Sequence, residues 1–558
     1  MTTSQKVESV KKVLQDNSRF YVFETKENKW IYDSVKFQLY SISPSLFNEL
    51  NNNQHDLSGM DFSELLEFQI FLKEIEEDAK EDTNYKLESN MCVAMISLGN
   101  NCNLNCSYCY RKKTENQTVN IEHVRNAIKF LFTGYKKKPS NYIFTFSMNS
   151  ESSRDLPLLK QILDDYKNYE PYYYTLNEIP DNTALFSKKI NEVLLKNRII
   201  NAPVPENITK EQIVSLLNKV ISIPVLPYIL GFTRAMYEEK DRPEFDKYRF
   251  LADYRKIRLN RWTLDILFDP FIKRKSVPFV SFSVMTNGTC ASKEYMDFLK
   301  SVDINFICVS IDGPEEVHNH SRFYKDNTGS YKDIVNNLKI FKENGFTFRA
   351  STVLTAFYPK PLEVAQHLKS LGFVNVSMLP VRSNQKDSFT KENINALLTG
   401  YDELFEQLKK DLLDGNFELF SFLRRDMSLS ALYYFLERKK NVRRCPFDDQ
   451  LVINSDGSIT SCLYMEGIDD YCIGNIKDGI TKEITHNITT NYRKPCADCW
   501  AKHLCGGTCF YNSYLSNNDI LPADEIECII KKHLIKHCLS LLAFAFENNI
   551  SIQSLRQV

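Results

Sequence analysis

Three cysteines share one short loop, Cys102-Asn-Leu-Asn-Cys106-Ser-Tyr-Cys109, with the spacing C-x3-C-x2-C. Thiolates this close suit a soft metal centre. They can hold three irons of a cubane cluster and leave the fourth without a protein ligand. An open iron is a binding position, fit for the amino and carboxylate groups of a small molecule. A zinc knuckle with a distant fourth ligand uses the same side chains, but zinc sites favour paired C-x2-C units. A second group reads Cys445-x11-Gly457-x4-Cys462, then Cys496-x2-Cys499-x5-Cys505-x3-Cys509, then Cys528. In isolation that run also permits a pair of zinc ribbons. Cys92, Cys290, Cys308, Cys472 and Cys538 are scattered.

The rest of the composition narrows the context. A chain of 558 residues that is 43% hydrophobic can bury the cores of several domains. Lys and Arg number 70 against 71 Asp and Glu, so neither nucleic acid nor an anionic membrane is expected as a partner. The N-terminus is polar, with no apolar signal core, and no apolar run is long enough to span a bilayer. A cytoplasmic protein is expected. There, clustered cysteines bind metal or do redox chemistry rather than form disulfides.

The elements that must position the first loop alternate between strand and helix. Met91–Leu98 is an apolar run that reads as a strand buried on both faces. Tyr142–Ser147, Phe279–Met285, Phe306–Ile311, Phe346–Leu354 and Val374–Pro380 read as further strands. Amphipathic helices such as Ile334–Glu343 and Pro361–Leu371 lie between them, and Ile121, Val124, Ala127, Ile128 and Leu131 mark another helical face. This βα pattern implies a parallel sheet or barrel with its chemistry at the C-terminal strand ends. The cysteine loop lies at such an end, as do Asn287-Gly288 and Asp312-Gly313. The expected layout is an N-terminal α+β module over 1–85, with strands near Arg19–Glu24 and Trp30–Tyr32, a helix start near Ser43 and a helix over 62–82. A barrel over 90–385 follows, interrupted by a mostly helical insertion over 160–275. A helical bridge over 386–440, a cysteine-rich domain over 441–540 and a tail over 541–558 complete it.

The first loop, with Tyr108 as the aromatic residue before its third cysteine, resembles the radical S-adenosylmethionine (SAM) superfamily. The resemblance implies an α/β fold with a partial (β/α)6 TIM-type barrel, a [4Fe–4S] cluster on Cys102, Cys106 and Cys109, and SAM on the open iron. Family members commonly carry a Gly-Gly-Glu-Pro turn after the second strand; here Asn149-Ser150-Glu151-Ser152 keeps only the Glu. Phe282–Gly288 resembles the third strand, with Asn287 near SAM. Val309–Pro314 resembles the fourth, with Ser310 near the ribose. By the same resemblance Arg322 pairs with the SAM carboxylate, which a guanidinium fork suits. Tyr108, Glu151, Asn287, Ser310 and Arg322 are thus the expected cofactor-binding residues.

The second group resembles the SPASM extension of many radical SAM enzymes. By that resemblance Cys496, Cys499, Cys505 and Cys528 ligate one auxiliary [4Fe–4S] cluster, and Cys445, Cys462 and Cys509 another, for three clusters in all. The second set takes Cys472 or an open site as its fourth position. The implied chemistry is reductive cleavage of SAM to a 5′-deoxyadenosyl radical, fed by a flavodoxin or ferredoxin. Radical SAM–SPASM proteins commonly modify peptides and proteins, and the N-terminal module resembles the leader-recognition module of peptide maturases. Maturation of a ribosomally made (RiPP) precursor peptide, by a thioether or carbon–carbon crosslink, is the first expectation. An anaerobic sulfatase maturase, which makes formylglycine, is the alternative. It commonly places an acidic residue after the cysteine matching Cys462, where this chain has Leu463. A non-catalytic iron–sulfur scaffold is the third reading. No residue stands out as a catalytic base.

Overall fold

The computed structural model describes residues 19–44, 47–48, 91–99, 101–109, 119–131, 141–146, 151–161, 174–195, 200–221, 268, 279–301, 306–382, 384–443, 445, 447, 450–482, 488–551 and 555. Strands β1 (Phe20–Glu24), β2 (Lys29–Asp33) and β3 (Gln38–Ile42) form an antiparallel meander with β2 in the centre. Buried Asp33 fixes the turn after β2 by accepting from Val35 N at 2.8 Å and pairing with Arg19 at 2.9 Å. A helical turn begins just after Ser43, whose carbonyl accepts from Phe47 N at 3.0 Å. The helix expected over 62–82 lies outside the described residues.

The barrel follows in chain order. It comprises β4 (Met91–Ile96), α1 (Ile121–Lys129), β5 (Asn141–Phe146), then α2 (Thr183–Ile190) and α3 (Lys210–Ile221) of the insertion, and β6 (Phe279–Thr286). After these come α4 (Lys293–Ser301), β7 (Phe306–Ser310), α5 (Glu315–Ser321), α6 (Tyr331–Glu343), β8 (Thr347–Leu354), α7 (Pro361–Ser370) and β9 (Val376–Pro380). Strands β4 to β9 pair in sequence order, all parallel. The 3.6-residue periodicity is why the helices bury one face: Val124, Ala127 and Ile128 on α1, and Ile334, Leu338 and Phe341 on α6. Asn120 caps α1, its side chain accepting from His123 N at 2.8 Å.

Three helices bridge onward: α8 (Ile394–Leu413), α9 (Glu418–Leu423) and α10 (Ser430–Glu437). The cysteine-rich region holds β10 (Gln450–Ile453), β11 (Ser458–Thr460), β12 (Cys472–Asn475), β13 (Gly479–Ile480), α11 (Lys502–Cys505), α12 (Phe510–Asn517) and α13 (Glu525–Glu547). Strand β10 pairs parallel with β4, Gln450 opposite Val93 and Ile453 opposite Ile96, so the barrel sheet grows to ten strands. No local pattern foretold that pairing. Helix α13 runs across the boundary drawn at residue 540, because Leu539, Leu541, Leu542, Ala543 and Ala545 keep it buried past that point. The N-terminal meander docks on this region: Tyr21 stacks on Trp500 at 3.9 Å, and Trp30 Nε1 donates to Glu547 at 3.0 Å. Among the described residues, no helix is long and apolar enough to cross a membrane.

Candidate active site and cluster-binding cysteines

The loop after β4 is held from the far side of the barrel. Asn105 N donates to Phe323 O at 2.8 Å and Ser107 N to Ser321 O at 2.9 Å, around a bridge between Leu104 and Tyr324. This strap presents Cys102, Cys106 and Cys109 together. Burial raises the thiols of Cys102 and Cys106, the latter to about 12, although nearby Arg322 pulls Cys106 down. Neighbouring thiolates repel one another here, so a metal must compensate as it displaces the protons.

Asp312, at the C-terminal end of β7, is the hub beside this loop. Tyr108 donates its hydroxyl to Asp312 Oδ2, Arg322 Nε donates to the same oxygen at 3.1 Å, and Val353 N donates to Oδ1 at 3.0 Å. The Arg322 guanidinium lies 5.4 Å from the Tyr108 ring centre. With Nε committed to Asp312, the terminal fork of Arg322 is the part a ligand carboxylate would meet. Burial holds His318 down to about 4, so it stays neutral. Its Nδ1 accepts from Asp312 N at 3.3 Å, so the proton sits on Nε2, 3.0 Å from Ser330 Oγ, which donates to Arg322 O at 3.1 Å.

Glu151 lies at the turn after β5, beside the turn after β6. It is buried, and its carboxylate accepts from Thr286 Oγ1 at 2.6 Å, Asn287 N at 2.6 Å and Ser153 Oγ at 3.0 Å. It ties the turn after β5 to the turn after β6. Asn149 and Ser150 lie outside the described residues. Asn287 reaches the cysteine loop, its Nδ2 donating to Asn103 Oδ1 at 2.8 Å with Cys102 Sγ at 3.8 Å. Ser310 closes β7 opposite Ser351. The expected residues thus gather at the C-terminal ends of β4 to β7. Sequence reasoning missed Asp312 and His318 as organisers. Asp312-Gly313-Pro314 read as a turn, and its place at a strand end and within the run that resembles the fourth barrel strand signalled more.

The second cysteine region sorts into two neighbourhoods. The charges acting on Cys496 include Cys505, Cys499 and Cys528, whereas those on Cys462 include Cys509 and Cys445. Burial raises Cys462 to about 12 and Cys496 to about 11. Cys472 instead directs its thiol to Gly474 O at 3.4 Å, within its own strand. Buried cations surround these groups. Arg382 Nη1 stands 3.2 Å from Cys509 Sγ, and Lys531 donates to Cys505 O at 2.7 Å. Arg493 is fully buried, and its hydrogen bonds go to neutral oxygens: Thr508 O at 2.8 Å, Ser513 Oγ at 2.9 Å, Leu521 O at 3.1 Å, and Ile520 O and Thr508 Oγ1 at 3.2 Å. Burial lowers its pKa, and the cysteines and Glu527 oppose that. A buried guanidinium calls for anions, which cysteinate-ligated clusters would be. Gly507, at φ +84°, must be glycine, because a Cβ would meet Arg493 Nη1 at 2.7 Å.

No protein-family model matches the chain. It is 25% identical over 282 residues to a cysteine-type anaerobic sulfatase-maturating enzyme of Clostridium novyi, covering 46% of this chain and 72% of the relative. A serine-type anaerobic sulfatase-maturating enzyme of Bacteroides thetaiotaomicron is 21% identical over 270 residues, and the chain spans less than two thirds of it, 64%. The fold is similar to the solved structure of native anSMEcpe with bound AdoMet and Cp18Cys peptide, with a TM-score of 0.51 and 16% identity over 82% of this chain and 99% of that one.

Proposed function

We propose that this chain, a radical SAM enzyme with a C-terminal SPASM extension, matures a ribosomally made peptide by forming a thioether or carbon–carbon crosslink between side chains. The observation that carries the reading is the three-cysteine set Cys445, Cys462 and Cys509, from which Cys472 turns away toward Gly474. A cluster on three protein thiolates has room for a fourth, and a substrate cysteine is the soft ligand that suits iron. Arg382, beside Cys509, favours the anionic form of an incoming thiol.

When bound, the first cluster and SAM supply one-electron reductive cleavage and hydrogen-atom abstraction from the substrate. The chain's own residues position the partners. Cys102, Cys106 and Cys109 hold the cluster. Arg322, fixed by Asp312 and Tyr108, offers its fork to the SAM carboxylate. Glu151 and Asn287 set the β6 turn against the cysteine loop. Ser310, at the end of β7, would face the SAM ribose. Strands β1 and β3 flank β2, and an extended leader would add to such an edge. A flavodoxin or ferredoxin would supply the electron.

Formylglycine formation is the second reading, favoured by the names of the sequence relatives. Against it, Leu463 and Tyr464 follow Cys462; Leu463 is buried, and Arg382 lies 4.4 Å over the Tyr464 ring. Neither takes a proton as a carboxylate would. The deciding experiment incubates anaerobically reconstituted protein with SAM, a reductant and two kinds of substrate: any short peptide encoded beside its gene, and a sulfatase-motif peptide. A neighbouring peptide that loses two hydrogens supports the crosslink, a thioether if a free thiol goes with them and a carbon–carbon bond if it does not. An aldehyde on the sulfatase peptide installs the second reading, and no 5′-deoxyadenosine with either overturns both.

A further inference from the structure

Away from the cysteine clusters, α8 and α13 bring three metal-ligand side chains to one point. His533 and His537 lie four residues apart on α13 and so share a face. Asp402 meets them from α8. Its Oδ1 is 2.8 Å from His533 Nε2 and 2.7 Å from His537 Nε2, and the two nitrogens are 3.2 Å apart. Among the described residues, this is the group of three ligand side chains whose donor atoms all lie within 4.8 Å of one another.

Hydrogen bonds alone serve this triangle poorly. If both Nε2 atoms carry protons, two N–H groups crowd one oxygen. If one does, the other nitrogen's lone pair faces a carboxylate oxygen at hydrogen-bond distance. A cation at the centre uses all three lone pairs at once. The rings are also held for the purpose: His537 stacks on Phe405 at 4.8 Å and 16°, and the imidazoles meet edge to face at 4.6 Å. The side chains are 19–48% exposed, so solvent can complete the coordination.

We propose that Asp402, His533 and His537 form a mononuclear transition-metal site that clasps α8 to α13. Two imidazoles and one carboxylate suit zinc, and disfavour calcium or magnesium, which want oxygen throughout. Helix α13 also carries Cys528, so the clasp would steady the helix that supplies a ligand to an auxiliary cluster. The site does not depend on which peptide the enzyme modifies.

The test uses tag-free, cluster-loaded full-length protein, kept anaerobic and titrated with cobalt(II). One equivalent should bind with a nitrogen–oxygen visible spectrum and no thiolate-to-cobalt charge-transfer band, and zinc should displace it. The variants Asp402→Asn and His533→Ala/His537→Ala should lose saturable binding while keeping wild-type iron content and SAM cleavage. Zinc should raise the melting temperature of the wild type only. Absence of saturable binding, or binding that persists in both variants with a thiolate band, overturns the site. If the double variant fails to fold, Asp402→Asn alone decides, its iron content reporting the fold.

Discussion

The two cysteine regions are built with opposite electrostatics. Around Cys102, Cys106 and Cys109 stand two buried carboxylates, Glu151 and Asp312, and one guanidinium, Arg322, already paired with Asp312. Around the C-terminal cysteines stand Arg382, Arg493 and Lys531, with Glu527 spent on Cys509 N at 2.9 Å and Asn512 at 3.0 Å. The first region keeps one carboxylate in excess, Glu151, before any cofactor arrives, which would suit SAM, a net monocation that binds and leaves. The second carries surplus positive charge in low dielectric, which permanent anionic clusters would neutralise. The same thiol chemistry would then serve one exchange site and one storage site.

The comparison breaks most completely at the ligands. Changing Cys102, Cys106 and Cys109 together to Ala should abolish SAM cleavage and lower iron from about twelve to about eight per chain, read by 5′-deoxyadenosine release and metal analysis. Cys462→Ala should keep SAM cleavage and lose the modified peptide; loss of both would erase the distinction between the regions. A smaller effect is expected at Arg322. Lys keeps the charge but not the fork, so Arg322→Lys should weaken SAM binding about tenfold, about 1.4 kcal/mol, in equilibrium binding. Arg493→Met should lower an auxiliary cluster's midpoint potential by tens of millivolts and Arg493→Lys should restore part of it, while the first cluster's potential stays put.

The smallest effect is a pH dependence. His318 is depressed by burial from 6.5 to about 4. The unfolded chain takes that proton below pH 6.5 and the folded chain does not until about pH 4. The stability it lends is therefore full above pH 6.5 and is lost as pH falls toward 4, by roughly 3 kcal/mol at most. Anaerobic urea midpoints at pH 7 and pH 5 should differ more for the wild type than for His318→Asn. Equal differences would remove His318 from the exchange site's support.

Much of this was legible in the chain because it is local. The six barrel strands were placed from the sequence, Met91–Leu98 as an apolar run fit for burial on both faces, whereas Thr347–Leu354 alternates and buries every second residue. Gly507 and Arg493 were silent, because neither a left-handed backbone nor a buried charge leaves a mark on neighbouring residues. Glu151 survived from a family turn, yet its carboxylate is consumed by Thr286 and Asn287, partners more than a hundred residues away.

The sequence by itself determined the barrel strands and the choice of metals: cysteine spacing over a few residues limits which ions and clusters can bind, and periodicity fixes which face each element buries. Only the tertiary structure decided who meets whom. It joined β10 to β4, turned Cys472 toward Gly474, set Arg322 on Asp312, and brought Asp402 to His533 and His537. Those contacts follow from sheet register and helix packing over long separations, a cooperative outcome of the whole fold that no short stretch of residues encodes.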